Sequence, residues 1–249
     1  MTAEPPGGLA AALAELDVPT LVVAPELPAR SAVVVGMPAM GIGRRVRTDA
    51  RRLAELGHLV VVPDYYRGTG PADPDRLDGP EHLPELMRLM DGLDFRLATQ
   101  DLLAVIDVLR DSGEVDQVHV WGYCTGGTLA ALAACVGRRA VTSTVLFYPS
   151  QMVFPEQTRA RPASPLDMLW SLTAPTLLLV GDADRAYPMP LVMETARRAA
   201  DWGVPFQFTV YPGRGHAFSD HWGDSFDPDA AADAWTRATE WSAPDRHRP

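Results

Sequence analysis

Seven short runs of aliphatic and β-branched residues recur along this chain, at 20–24, 31–38, 58–66, 117–123, 143–150, 175–182 and 206–212. Between most of them lie longer segments whose apolar residues return at helical spacing, near 44–56, 95–112, 125–137, 190–202 and 228–241. Near-continuous apolar strands need cover on both faces, and intervening helices supply it. The alternation predicts an α/β architecture: a mostly parallel, doubly wound sheet flanked by helices, with functional groups at the carboxyl ends of strands. A chain of 249 residues, 47% of them hydrophobic, is long enough for one such core. With no internal repeat, 1–249 reads as a single domain whose last residues, about 243–249, fray. One stretch breaks the rhythm. Residues 67–94 are rich in Pro, Gly and charge and predict a lid-like excursion over the strand ends.

Charge and cysteine content limit the partners. A net charge of −10 leaves no basic face for nucleic acid or an anionic membrane surface. All 22 basic residues are Arg, which, with abundant Ala and Pro, suggests a high-GC coding sequence and lowers the weight of any single Arg. No apolar run approaches the roughly 18–20 residues that span a bilayer. The N-terminus lacks the pattern of a signal peptide. Cys124 and Cys135 sit eleven residues apart on one strand-turn-helix unit, so two free thiols and a reducing, cytoplasmic setting are expected.

Cys124 stands in Gly122-Tyr123-Cys124-Thr125-Gly126-Gly127, where the strand at 117–123 runs into a helix. A reactive residue on such a tight turn needs small neighbours, and Gly122 and Gly126 provide them. A helix start also lowers a thiol pKa. A buried cysteine in an ordinary apolar turn accounts for these six residues equally well. The partners tip the balance. A thiol nucleophile needs an imidazole, and the imidazole a carboxylate. Asp182 and Asp184 follow the strand at 175–181, and His216 follows the one at 206–212. Cysteine, acid and histidine in this order, each after a strand, form the sequence of an α/β-hydrolase triad.

With these residues in view, the chain resembles the dienelactone hydrolase family, a cysteine branch of the α/β-hydrolases. The resemblance rests on "PDYYRG", "GYCTGG", "GDADRAYP" and "GHAF" and runs from about residue 31 to 242. It implies the α/β-hydrolase fold, with Cys124 as nucleophile, His216 as base and Asp184 as the acid. Asp184 is preferred to Asp182 because it stands three residues after Gly181, as the family acid does. The oxyanion donors are expected at the backbone N–H of Thr125 and, by register, of Ala39. Tyr65, Tyr66, Arg67, Tyr148, Tyr187, Phe218 and Trp222 are candidates for binding substrate. Neither cofactor nor metal is implied.

Two positions depart from the family. Pro38 stands where the family has a glutamate that acts on the resting thiol. Asp220 stands where it has an arginine for the substrate's carboxylate, so a carboxylate ligand would be repelled. The expected reaction is hydrolysis of an ester, lactone or thioester through an acyl-enzyme, on a small-molecule substrate other than dienelactone, by a monomer or small homo-oligomer. Two other readings stay open: acyl transfer or cyclisation through the same thiol, and a non-hydrolytic binding or rearrangement protein on this fold.

Overall fold

The computed structural model describes residues 7–76, 80–221, 224–243, 246 and 247. Its strands are β1 (Thr20–Val23), β2 (Ser31–Gly36), β3 (His58–Pro63), β4 (Gln117–Tyr123), β5 (Ser143–Phe147), β6 (Thr176–Gly181) and β7 (Phe206–Tyr211). They form one sheet in the order β1-β3-β2-β4-β5-β6-β7. Only β1 runs antiparallel, pairing Thr20 with Pro63 and Val23 with Val60. Every residue of β2 through β6 is buried, as the unbroken apolar runs require. The edge strand β7 keeps Gln207 and Phe208 exposed.

The helices are α1 (Gly7–Ala14), α2 (Arg44–Glu55), α3 (Leu83–Gly92), α4 (Phe95–Asp111), α5 (Thr125–Gly137), α6 (Pro165–Met168), α7 (Met189–Trp202) and α8 (Pro228–Trp241). The pattern of apolar residues anticipated α2, α4, α5, α7 and α8. It missed α1, an eight-residue helix that buries Leu9 and Leu13 and contacts α4. So short a segment, opening on two glycines, shows no full period. β5 stops at Phe147 rather than running to 150, because Tyr148 has φ 37° and Pro149 follows it.

The stretch 67–94 carries α3 and is tied down at several points, among them Asp75 and the end of α3. Asp75 Oδ1 accepts from the Arg44 amide (2.6 Å), capping α2 from outside, since Gly43 has no side chain to do so. Arg161 Nη2 donates to the carbonyls of Met90 (2.8 Å) and Asp91 (3.2 Å) at the C-terminal end of α3. Of the tail expected to fray, residues 244, 245, 248 and 249 lie outside the described residues. His247 is tied back, its Nε2 2.8 Å from the Trp241 carbonyl oxygen.

Candidate active site

The turn from β4 to α5 is a strained elbow. Cys124 holds φ 54°, a region that costs a non-glycine residue about 1–2 kcal/mol. The turn persists because its neighbours fix it. The Cys124 amide donates to the Phe147 carbonyl (3.0 Å), and the Cys124 carbonyl accepts from the amides of Gly127 (2.9 Å) and Ser150 (3.2 Å). A Cβ on Gly126 would fall 2.0 Å from the Gly36 oxygen, and one on Gly122 would fall 2.1 Å from the Gly126 oxygen. Glycine at these positions lets α5 start hard against the end of β2. Among the described residues, Cys124, Tyr148 (φ 37°) and Ala217 (φ 61°) all combine positive φ with a place on the same cavity wall.

The loops after β6 and β7 are laced together, and this sorts the two aspartates. Asp182 Oδ1 accepts from the Gly213 amide (2.6 Å), and the Ala183 amide donates to the Arg214 carbonyl (3.0 Å). Asp184 points the other way. Its Oδ2 lies 2.9 Å from His216 Nδ1, while Oδ1 accepts from the amides of Ala186 (2.8 Å) and Tyr187 (3.1 Å). Asp184 is 2% exposed, so its charge acts in a poorly screened setting. Asp182 binds backbone; Asp184 holds the imidazole.

Cys124 and His216 perturb each other strongly. Burial pushes the thiol up, but the His216 charge, a hydrogen bond to His216 and the Thr125 hydroxyl and amide outweigh it, so the thiol lies below its usual range. Burial alone would lower His216, yet the Cys124 thiolate and the Asp184 carboxylate push it up to about 10. Both directions favour thiolate and imidazolium over the neutral pair. Burial raises Cys135 to about 12, leaving it an inert core residue.

The Thr125 amide at the start of α5 is turned toward the sulfur. Ala39 lines the cavity, in the loop after β2. The Tyr65 hydroxyl donates to the carbonyls of Met37 (2.9 Å) and Pro38 (3.1 Å), and the Tyr66 hydroxyl to that of Ala39 (2.9 Å). Across a trans peptide the carbonyl and the following N–H point in opposite directions. Drawing the Pro38 oxygen onto Tyr65 therefore turns the Ala39 N–H away from Tyr65.

A cavity of about 410 Å³ opens onto Cys124 and His216. Of the residues expected to bind substrate, Tyr148 lines it, with its ring 5.2 Å from that of His216. The others do not. Tyr65 and Tyr66 are buried behind the loop that they brace. Arg67 is held by Asp101 and Asp17, which draw it off the site. Tyr187 is buried with its hydroxyl 2.6 Å from that of Thr195. Phe218 packs between Tyr148 and Tyr211. Trp222 lies outside the described residues. Pro38 and Asp220, where the chain departs from its resembled family, both line the cavity.

Sequence reasoning missed Arg45, which lines the cavity from α2. It is one of several arginines in an Arg-rich helix, and nothing local marks it out. The guanidinium is bound to Asp49, to the Ser219 carbonyl and to the Ser219 hydroxyl (3.1 Å), lies 3.8 Å from Asp220 Oδ1, and sits 4.6 Å from the Tyr123 ring centre. The Ser219 hydroxyl is also 3.0 Å from that of Tyr148. Arg45 thus ties α2 to the segment that follows His216. His221 stacks on Phe226 (4.2 Å), and among the described residues no group of three or more His, Cys, Asp or Glu could hold a metal ion.

A mostly parallel seven-stranded sheet with its elbow after the central strand β4 is the α/β-hydrolase fold. Within it, the chain belongs to the dienelactone hydrolase family, whose profile matches residues 18–244. It is 30% identical over 214 residues to a Bradyrhizobium protein named "Probable 2-oxo-3-(5-oxofuran-2-ylidene)propanoate lactonase", covering 85% of this chain and 83% of the relative. It is 29% identical to the "Putative carboxymethylenebutenolidase" of Escherichia coli K12, covering 84% and 75%. The crystal structure of a "Putative Dienelactone Hydrolase" from Klebsiella pneumoniae superposes with a TM-score of 0.79 at 26% identity, covering 90% and 92%. The chain is an enzyme of the lactone- and ester-hydrolase class. No described helix is long and apolar enough to cross a membrane.

Proposed function

We propose that this enzyme cleaves a carboxylic ester or lactone through a Cys124–His216–Asp184 triad and a covalent thioester. The observation that carries the reading is the pairing of the Cys124 thiol, on its strained elbow, with an imidazole held by buried Asp184 at 2.9 Å. The Cys124 thiolate attacks the substrate carbonyl carbon, forming the C–S bond and pushing the π electrons onto oxygen. The N–H groups of Thr125 and Ala39 stabilise that oxyanion. As the carbonyl re-forms, the C–O bond to the leaving alkoxide breaks and the His216 imidazolium gives up its proton to it. Neutral His216 then takes a proton from water as the water oxygen attacks the thioester. Collapse of the second tetrahedral adduct releases the acid and restores thiolate and imidazolium.

Asp184 keeps the Nδ1 proton of His216 in place, so that Nε2 serves the reaction. No glutamate is needed near Pro38 for this scheme, because His216 already supports the resting thiolate. The relatives' names place lactones among the substrates to try first. Hydrolysis of short aryl esters and lactones by the wild type and by Cys124→Ala is the test, with mass spectrometry of a rapidly quenched reaction. An acyl mass on the Cys124 peptide and loss of turnover in the variant are expected. Turnover by Cys124→Ala within about tenfold of wild type would end the proposal. Product analysis with and without an added alcohol or thiol acceptor separates hydrolysis from transfer.

A further inference from the structure

The cavity beside Cys124 has two unlike walls. One is the elbow and the loops after β2, β5 and β7. The other is α3, which presents Leu83, Leu86, Met87 and Met90 to the cavity. Their spacing of three, four and seven residues from Leu83 makes a single apolar stripe along one helical face. Leu89 and Leu93, set off from that stripe, are buried, and Arg161 anchors the C-terminal end of α3. Leu86 also packs in part against the core, so the uncovered part of the stripe is Leu83 and Met87. Leu83 is 56% exposed and Met87 44%, which is uncovered apolar area continuous with the cavity that holds the thiol.

The charges at the site point the same way. Asp220 and Asp224 line the cavity, and the one guanidinium among its described lining residues, Arg45, is shared with Asp49. This corner is therefore rich in carboxylates, and an incoming carboxylate meets repulsion there. From Leu83 to Met90 the stripe spans about 10 Å of helix axis. An extended chain advances about 1.2 Å per bond, so the stripe accommodates roughly eight bonds. Methionines, two of the four stripe residues, adapt their shape to a flexible chain.

We infer that the acyl group taken by this site is an uncharged, medium-length apolar chain, delivered to Cys124 and laid along α3. The inference rests on the thioester reading above and adds the substrate class to it. A carboxylate-bearing acyl group is selected against.

The probes are p-nitrophenyl acetate, butyrate, hexanoate and octanoate, with mono-p-nitrophenyl adipate as the carboxylate-bearing match to the hexanoate. Burying a methylene sets a ceiling of about fourfold per added carbon, and kcat/KM should rise about two- to fourfold per carbon up to the octanoate. The adipate half-ester should be at least about tenfold slower than the hexanoate, through its charge near the acids. Leu86→Ala combined with Met90→Ala should flatten the rise with chain length, whatever the absolute rate on acetate. Leu27→Ala, on an exposed loop outside the cavity, should keep it. A series that is flat or falls with length in the wild type overturns the inference, as does adipate turnover equal to that of hexanoate. Both of these outcomes are read on the wild type and need no variant to fold. Cys124-dependent release of acetate with a flat series removes the chain subsite alone. No Cys124-dependent release from any member removes the thioester reading and this inference with it.

Discussion

Replacing His216 with alanine tests the thiolate–imidazolium pair proposed for Cys124. In the wild type two effects oppose each other at the sulfur: burial raises its pKa, and the His216 cation with the surrounding hydrogen bonds lowers it. His216 is pushed up to about 10, partly by the thiolate, so the proposed pair is the form expected at neutral pH. The window follows from the signs. At its acid end it closes as the thiolate takes up a proton, below the usual thiol range. At its alkaline end it closes near pH 10, as the raised imidazolium loses its proton. Without the imidazole, burial stands unopposed. Even an unperturbed thiol of pKa about 8.5 is only roughly 3% thiolate at pH 7. Thiolate is the species alkylated, so a pair fully formed at pH 7 predicts a fall in rate of about thirtyfold or more in His216→Ala.

The assay is iodoacetamide labelling across pH, read for each cysteine by peptide mass spectrometry. Cys135 is the internal control, pushed up to about 12 and buried. Cys124 should show an inflection below the ordinary thiol range in the wild type and above it in the variant. If His216→Ala changes the rate at pH 7 by less than about threefold, the pair does not exist in the resting enzyme. An inflection near the unperturbed value in both proteins would refute the pair equally.

Asp184→Asn should lower kcat/KM by about 10³–10⁴. The amides of Ala186 and Tyr187 claim its one remaining oxygen and turn the new NH₂ toward His216 Nδ1, forcing the wrong tautomer. Asp182→Asn, whose amide oxygen can still accept from Gly213, should stay within about tenfold, and a larger loss there than at 184 would reverse the two roles. Tyr65→Phe frees the carbonyls of Met37 and Pro38, and kcat should fall about ten- to a hundredfold with KM little changed, since a mispositioned oxyanion donor is felt in the transition state. An unchanged kcat would remove Tyr65 as a positioning residue. Arg45→Met leaves Asp49 and Asp220 without their shared cation and should cost about 3 kcal/mol in urea unfolding, with part regained on adding Asp49→Asn. Equal stability of Arg45→Met and wild type would show that the network carries no load.

How much was legible in the sequence depends on the distance over which each signal acts. β2 through β6 were readable because each buried strand must be apolar over its own length, and α8 because its caps and periodicity are local. The elbow was readable as well. Gly122, Cys124 and Gly126 must be close in sequence to make one turn, and the order of acid and histidine follows from the order of strands. What could not be read was which side chain faces the cavity. Tyr65 and Tyr66 follow a strand end as binding residues often do, yet they turn behind the loop because the carbonyls of Met37, Pro38 and Ala39 lie there. Arg67 turned away because Asp101, 34 residues further on, meets it. Arg45 entered the site because Ser219, 174 residues away, supplies its acceptors. Local sequence therefore determined the strands and the elbow and marked the candidate reacting groups, whose constraints act within a few residues. Only the tertiary structure decided the walls of the cavity, because burial and hydrogen bonding are set by neighbours distant in the chain.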